Sequence, residues 1–124
     1  MQCFLQRTGE VLASRVELAN TYASRLKGLM FRREFAAGQA LLLDPCPQIH
    51  TCFMNFAIDA VFLDKQGTVL YVKEQMKPWR WGRYVRGSRY TLELPGGVLA
   101  GRVQKGDVLV FADYFTQKPL QEKK

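Results

Sequence analysis

Short apolar segments separated by turn residues dominate the chain and predict a mostly β fold. Each segment is short, mainly apolar and bounded by turn residues, as strands of a small domain are. Residues 64–67 (Asp-Lys-Gln-Gly) separate two such segments and give the strongest hairpin signal, and residues 8–10 (Thr-Gly-Glu) give a second. About seven short strands are predicted, at residues 3–6, 11–18, 39–43, 57–63, 68–72, 90–94 and 108–114.

One stretch has helical rather than strand periodicity. Asn20 precedes it and is a residue type that commonly caps a helix N-terminus. The apolar residues that follow are spaced i, i+4, i+7 and i+8, which places them on one face of a helix. The pattern predicts one principal helix near residues 20–31. Its apolar face is formed by Tyr22, Ala23, Leu26, Leu29 and Met30.

The length and the order of these elements predict one small domain. A chain of 124 residues can bury a core of its own without disulfides or metals. Many short strands with a single helix are typical of a small barrel or a sandwich. We therefore predict a globular β-rich domain over residues 1–116. The polar residues 117–124 are predicted to form a frayed tail.

The chain is basic, and most of the excess charge lies in one segment. Eighteen Lys and Arg residues against 11 Asp and Glu give a net charge of +7. Residues 77–90 contain five basic residues and no acidic one, so the remainder carries only 7 − 5 = +2. The charge therefore indicates a local basic patch rather than a generally basic surface.

The compartment follows from two absences in the pattern. The N-terminal residues lack the basic start and following apolar stretch of a secretory signal. No apolar run approaches the ~20 residues that span a bilayer. We expect a cytoplasmic protein, which would be exported only if a signal segment precedes this sequence. We take it as a monomer, although the sequence patterns do not determine the oligomeric state. Cys3, Cys46 and Cys52 form no CxxC pair and are expected to be reduced, with a Cys46–Cys52 bridge as the alternative.

Several phrases in a fixed order resemble a known family. They are residues 25–32 (RLKGLMFR), 49–54 (IHTCFM), 58–64 (IDAVFLD), 78–80 (PWR), 92–97 (LELPGG) and 105–107 (KGD). This combination resembles the uncharacterised prokaryotic family catalogued as domain of unknown function one-nine-two, and it extends over essentially the whole chain. The resemblance implies a compact, strand-rich domain with one principal helix and implies no particular activity. Relatives often carry an apolar residue in place of Cys52 and a basic residue in place of Asn55.

A first candidate site is a cluster of soft metal ligands. Cys46, His50, Cys52 and Met54 lie within nine residues, and His50 is the only histidine in the chain. Thiolate and thioether sulfur favour Cu(I), and Cys with His suits zinc or copper. Two alternatives stay open. In the first, Cys52 and Met54 are buried packing residues. In the second, Cys46 or Cys52 is a catalytic nucleophile and His50 is its base.

A second candidate site consists of carboxylates in apolar surroundings. Asp59 has only apolar neighbours for three positions on either side, and Glu93 lies between Leu92 and Leu94. A buried carboxylate is costly unless it is paired or hydrogen-bonded. It is therefore either a structural group or an anchor for a ligand on a cavity wall. The ligand-binding residues predicted on this basis are Met54, Asn55, Asp59, Trp79, Arg80 and Glu93.

The basic segment 77–90 is the third candidate site. Arginines beside stackable rings are typical of proteins that bind single-stranded nucleic acid. The alternative is that the tryptophans pack the loop onto the domain, while the arginines lie over those rings or pair with buried acids such as Asp59. The predicted nucleic-acid-binding residues are Lys77, Arg80, Trp81, Arg83, Tyr84, Arg86 and Arg89.

The leading hypothesis from the sequence is a binding domain rather than an enzyme. No complete catalytic constellation can be named, although an enzyme is not excluded. We predict a small anionic or polar ligand in a pocket beside the basic aromatic loop. Copper or zinc binding through the Cys/His/Met cluster is the alternative, and single-stranded nucleic acid is the third hypothesis.

Overall fold

Eight strands in two sheets, with one short helix, make up the part of the chain that the structure describes. This is a computed structural model, and it describes residues 1–112. In chain order the elements are β1 (Gln2–Leu5), β2 (Val11–Ala13), β3 (Arg15–Ala19), α1 (Tyr22–Lys27), β4 (Gln39–Leu43), β5 (Ile58–Leu63), β6 (Val69–Met76), β7 (Tyr90–Pro95) and β8 (Leu109–Ala112).

The two sheets are both open. The smaller has the order β2-β1-β8 and the larger has the order β3-β4-β7-β5-β6. All pairs are antiparallel except β3 with β4, which run parallel on either side of α1 in the chain. The predicted mostly β fold is confirmed, and of its two predicted forms the described residues adopt the sandwich-like one.

The five-stranded sheet has a buried core on each face. One core lies between the two sheets and contains Leu42, Val61 and Phe111. The other lies against the loops and the turn after α1 and contains Leu29 and Phe62. Neighbouring residues of β5 alternate between these cores because successive side chains of a strand point to opposite faces. All six residues of β5 are consequently buried.

The predicted strand 11–18 is two strands, not one. The amides of Ser14 and Arg15 both donate to the Gly38 carbonyl oxygen, at 3.0 and 2.9 Å. This contact lies where the chain leaves the small sheet after β2 and enters the large sheet as β3. Residues 11–18 contain no glycine or proline, so the local sequence gave no sign of the break.

The predicted helix is much shorter than 20–31, and its N-cap is Thr21 instead of Asn20. Thr21 Oγ1 accepts from the Ser24 amide at 3.1 Å, and Ser24 Oγ accepts from the Thr21 amide, which forms a capping box. Gly28 follows the last helical residue with φ 47°. Tyr22 and Leu26 are 77% and 58% exposed, so most of the predicted apolar face does not enter the core.

Two predictions extend beyond the described residues. The last predicted strand, 108–114, is found as β8 up to Ala112, and its last two residues lie outside the described part. The tail 117–124 lies outside it as well. The domain boundaries 1–116 and 117–124 therefore stay a prediction.

Candidate functional site

A cavity of about 240 Å3 opens on the loop-covered face of the large sheet, and we call it the Glu93 cavity. It is lined by α1 and the turn after it, by residues 45–50, and by β7. The lining mixes apolar side chains with a few polar ones, as small-molecule sites do. The residues on which the chemistry depends are Arg25, Met30, Cys46, His50, Met54 and Glu93.

Glu93 is the most unusual group in this cavity. It lies in the middle of β7, opposite Leu41 of β4 and Ala60 of β5, and is only 2% exposed. Its Oε1 atom accepts no hydrogen bond from any residue in the described range 1–112. Burial raises the pKa of Glu93 to about 8, and the positive charge of Arg32 opposes this shift more weakly. At neutral pH the group is therefore chiefly a neutral acid that can donate a hydrogen bond.

Cys46 is fixed to β7 through its backbone. Its amide donates to the Arg89 carbonyl oxygen at 2.8 Å, and its carbonyl oxygen accepts from Thr91 Oγ1 at 2.8 Å. The thiol Sγ donates to the Gln48 carbonyl oxygen at 3.1 Å. Burial raises the pKa of this thiol above its ordinary value. Cys46 therefore presents a neutral thiol, which is a weak nucleophile.

His50 is held at the edge of the cavity by two contacts. Its Nδ1 atom accepts from the Cys52 amide at 3.1 Å, so in the neutral ring the proton is on Nε2. Its ring lies against Trp81, with the ring centroids 5.3 Å apart. Within residues 1–112 no hydrogen bond joins a cysteine thiol to the His50 ring, so the thiol-to-imidazole bond of a Cys/His catalytic pair is not formed there.

Asp59 lies on the opposite face of the sheet and is fully satisfied there. Oδ1 accepts from the amides of Gln75 and Gly97 at 2.8 and 3.0 Å, and Oδ2 accepts from the Leu99 amide at 3.0 Å. It lines neither this cavity nor the second one described below. Of the two alternatives for Asp59, a structural group or an anchor for a ligand, its contacts favour the structural group. Its carboxylate organises the turn after β7.

The other predicted ligand-binding residues do not form one pocket. Met54 lines the Glu93 cavity together with Glu93. Asn55 is exposed, and its Nδ2 donates to the Arg32 carbonyl oxygen at 2.8 Å. Trp79 is also exposed and packs its ring against Phe53, with centroids 4.7 Å apart. Arg80 lines a different cavity.

The predicted metal ligands are brought together only in part. Cys46, His50 and Met54 line the Glu93 cavity, whereas Cys52 does not. Within residues 1–112, no three side chains of His, Cys, Asp or Glu are placed to share an ion. Met30, which the sequence pattern had assigned to the apolar face of a helix, joins the cavity instead. The three cysteines are free thiols.

A second cavity of about 460 Å3 lies on the other side of Ile49, and we call it the basic groove. Ile49 lines both cavities. The groove-lining residues used below are Tyr71, Lys73, Lys77, Arg80, Trp81 and Arg83.

Three of the predicted nucleic-acid-binding residues lie outside this groove. Tyr84 and Arg86 are exposed elsewhere on the loop. Arg89 pairs with Asp44 instead, with 2.6 Å between Nε and Oδ1. Sequence reasoning missed Tyr71 and Lys73, which belong to β6 rather than to the loop. It also missed Arg25 of the Glu93 cavity, which is not among the residues of the predicted apolar helix face.

Fold and cavities together define a class of protein: a small two-sheet β domain with a buried acid in an open cavity. Its one helix in the described range has six residues, too short to cross a membrane. The chain belongs to the family DUF192, described as Uncharacterized ACR, COG1430, whose model matches residues 4–111.

Curated relatives and solved structures agree with this assignment. A UPF0127 protein of Thermococcus sibiricus is 33% identical over 95 residues, which are 73% of this chain and 61% of that protein. This chain therefore spans less than two thirds of that relative. A UPF0127 protein of Pyrococcus furiosus is 31% identical over 109 residues, 82% of this chain and 90% of that protein.

Two crystal structures are similar in fold. A protein of unknown function from Novosphingobium aromaticivorans superposes with a TM-score of 0.80 at 22% identity, covering 90% of this chain and 84% of that one. A protein described as a putative transcription regulator, from Sinorhizobium meliloti, superposes with a TM-score of 0.72 at 26% identity, covering 87% of this chain and 88% of that one. The likeness to the first concerns the fold alone.

Proposed function

We propose that the domain binds a small anionic or polar molecule in the Glu93 cavity. The observation that carries this proposal is the buried Oε1 atom of Glu93, which has no hydrogen-bond partner among residues 1–112. Leaving a buried polar atom unpaired costs about 1–3 kcal/mol. A ligand that pairs with Glu93 would recover that cost.

The charges around the cavity favour an anion. Arg25 and Lys27 both line it, and neither is paired with a carboxylate among the described residues. Arg25 is held in place, because its Nη1 donates to the carbonyl oxygens of Asn20 and Asp44 at 3.3 Å each. Glu93 in its neutral form adds no opposing charge and can donate to an anionic oxygen. A ligand carboxylate fits this arrangement best.

The proposal concerns binding, because the groups needed for covalent catalysis are not activated. The Cys46 thiol has a raised pKa and donates to a backbone oxygen. An active nucleophilic cysteine requires a lowered pKa or an adjacent base. A binding role needs neither.

Acetate, succinate and phosphate are suitable probes, with binding followed by calorimetry and by the melting temperature. We expect acetate or succinate to bind at pH 6 and to bind more weakly above pH 8, where Glu93 loses its proton. Glu93→Gln keeps a neutral donor and should remove this pH dependence. Arg25→Gln should weaken binding about tenfold or more, by loss of a charge-assisted hydrogen bond.

Arg15→Gln is the matched control, since Arg15 is an exposed arginine on β3 outside the cavity. It should leave binding unchanged. If none of the three anions binds, or if Arg15→Gln weakens binding as much as Arg25→Gln does, the proposed site is wrong.

A second candidate function is soft-metal binding in the same cavity. What favours it is that a thiol, an imidazole and two thioethers, from Cys46, His50, Met54 and Met30, line one space. This set suits Cu(I) better than zinc, because thioethers are poor zinc ligands. Competition for Cu(I) against a colorimetric chelator tests it. The double variant Met30→Leu/Met54→Leu should lose binding, and equal affinity in that variant would refute the site.

A further inference from the structure

The basic groove is built on a loop that is fixed to the domain. Residues 49–51 and 80–82 pair like short antiparallel strands: the Thr51 amide donates to the Arg80 carbonyl oxygen at 2.8 Å, and the Gly82 amide to that of Ile49 at 2.9 Å. A Cβ at Gly82 would lie 3.1 Å from the Ile49 carbonyl oxygen, so the close approach favours glycine. The groups of this loop are therefore held in position before any ligand arrives.

Four cations line this groove, and none has a carboxylate partner within residues 1–112. The four ion pairs of the described residues all lie elsewhere, at Arg7, Arg32, Arg89 and Arg102. Lys73, Lys77, Arg80 and Arg83 thus share one concave surface that no acidic residue lines. Glu74, between two groove positions on β6, hydrogen-bonds the Gly101 amide instead. Such a concentration of one sign of charge attracts a polyanion.

Aromatic rings accompany these cations. Trp81 is 74% exposed and lines the groove, with its ring also in contact with that of His50. Tyr71 lies deeper, and the Arg83 guanidinium covers its ring at 4.6 Å from the centroid. A free indole face beside cations can stack on the base of a nucleotide while the cations bind its phosphate.

We propose that the basic groove binds nucleotide units, with a base stacked on Trp81 and phosphates at Lys73, Lys77, Arg80 and Arg83. The site is separate from the Glu93 cavity and takes a different ligand. A single strand and a free nucleotide both carry the base and the phosphate that this groove would bind. Four cations on one groove favour a strand, because a strand brings several phosphates.

Fluorescence anisotropy with labelled (dT)12 and (rU)12 tests the proposal. If four phosphates are neutralised, the logarithm of the affinity should fall with a slope of about −2.8 against the logarithm of salt concentration. This slope predicts about a 50-fold loss of affinity between 50 and 200 mM salt. Competition with a mononucleotide decides which of the two ligands the groove binds. If the mononucleotide displaces the labelled oligonucleotide at equal nucleotide concentration, the ligand is a free nucleotide. If it does not, the ligand is a strand.

Two matched pairs of variants separate the groove from general surface charge. Arg83→Gln should reduce the slope to about −2.1, whereas Arg86→Gln, with the same charge change outside the groove, should leave it unchanged. Trp81→Ala should weaken binding about 5- to 150-fold, and Trp79→Ala should have little effect. Glu93→Gln should also leave this binding unchanged, which keeps the test independent of the Glu93 cavity.

Several results would overturn the proposal. They are no binding of either oligonucleotide or of the mononucleotide at 50 mM salt, equal losses in Arg83→Gln and Arg86→Gln, or equal losses in Trp81→Ala and Trp79→Ala. Binding to phosphatidylserine vesicles without binding to oligonucleotides would likewise overturn it and assign the groove to a membrane surface. Circular dichroism of each groove variant and each control variant checks that the protein is folded.

Discussion

Asp59 and Glu93 are two buried carboxylates on neighbouring strands, and their surroundings differ completely. In the pairing of β5 with β7, Asp59 is opposite Leu94 and Glu93 is opposite Ala60, so the two carboxylates point to opposite faces of the sheet. Asp59 accepts three backbone hydrogen bonds. Glu93 Oε1 accepts none from the described residues. Burial alone therefore does not distinguish a carboxylate that is satisfied within the fold from one whose oxygen has no partner among the described residues.

The difference follows from what covers each face. The face of Asp59 lies between two sheets, and the turn after β7 closes over it with amides directed at the carboxylate. The face of Glu93 is covered by loops and by a six-residue helix without buried residues, which leaves a cavity. Loops placed over a rigid sheet are where binding groups are commonly found. The loop-covered face is accordingly the side on which we expect ligands.

The largest effect is expected at Asp59. Asp59→Ala leaves the amides of Gln75, Gly97 and Leu99 without their acceptor, one of them buried and two partly buried. A buried donor without a partner costs about 1–3 kcal/mol, so the free energy of unfolding should fall by about 3 kcal/mol. Urea unfolding of wild type and variant measures it. Asp59→Asn retains one acceptor oxygen and should lose less, which supplies a measurement if Asp59→Ala does not fold. A loss below about 1 kcal/mol in Asp59→Ala would contradict the structural role.

An effect of up to a similar size, with a distinct pH dependence, is expected at Glu93. The folded-state pKa of about 8 exceeds the ordinary value of 4.5, so between these values the folded protein holds a proton that the unfolded chain has released. Stability is therefore lost as the pH rises from about 4.5 to about 8, by an amount on the order of a few kcal/mol. Glu93→Gln carries no such charge. It should be more stable than wild type at pH 9 and close to it at pH 5.

Urea unfolding at these two pH values checks the prediction. Glu34→Gln serves as the control, because Glu34 is an exposed glutamate outside both cavities, and it should keep the wild-type pH dependence. If Glu93→Gln loses stability between pH 5 and pH 9 as wild type does, the cavity carboxylate does not have the raised pKa. The contrast with Asp59 would then need another explanation.

Much of the fold could be predicted from local patterns. The hairpin of β5 and β6 follows from Asp64 to Gly67, where the Asp64 side chain accepts from the amides of Gln66 and Thr68. The break at Ser14 was not predictable in this way, because it depends on a long-range contact with Gly38 that no local pattern reports. The short helix has local causes instead: the capping box of Thr21 and Ser24 at its start and Gly28 after its last residue.

The candidate site was predictable only as a set of residues. The sequence identified Glu93, Cys46, His50 and Met54 as chemically notable, and all four line one cavity. It assigned them to two different sites, because residues 46 and 93 become neighbours only through the pairing of β4 with β7. Which basic residues line the groove and which form ion pairs is likewise determined by tertiary structure.

The smallest effect tests how weakly the loop-covered face is held. Thr21→Ala removes the side-chain acceptor of the capping box and should cost about 1 kcal/mol in the stability of α1. Since α1 buries no residue, the loss should appear mainly as faster hydrogen exchange of the α1 amides, with little change in global unfolding.

Asn20→Ala is the matched control for this measurement, because Asn20 is the cap that the sequence predicted and Thr21 is the cap that the structure contains. It should leave exchange in α1 unchanged, since among the described residues the Asn20 side chain makes no hydrogen bond that holds the helix. Equal acceleration in both variants would mean that the helix begins one residue earlier. Equal exchange rates in wild type and Thr21→Ala would mean that α1 is held by its packing rather than by its cap, which would contradict the weak attachment of the loop-covered face.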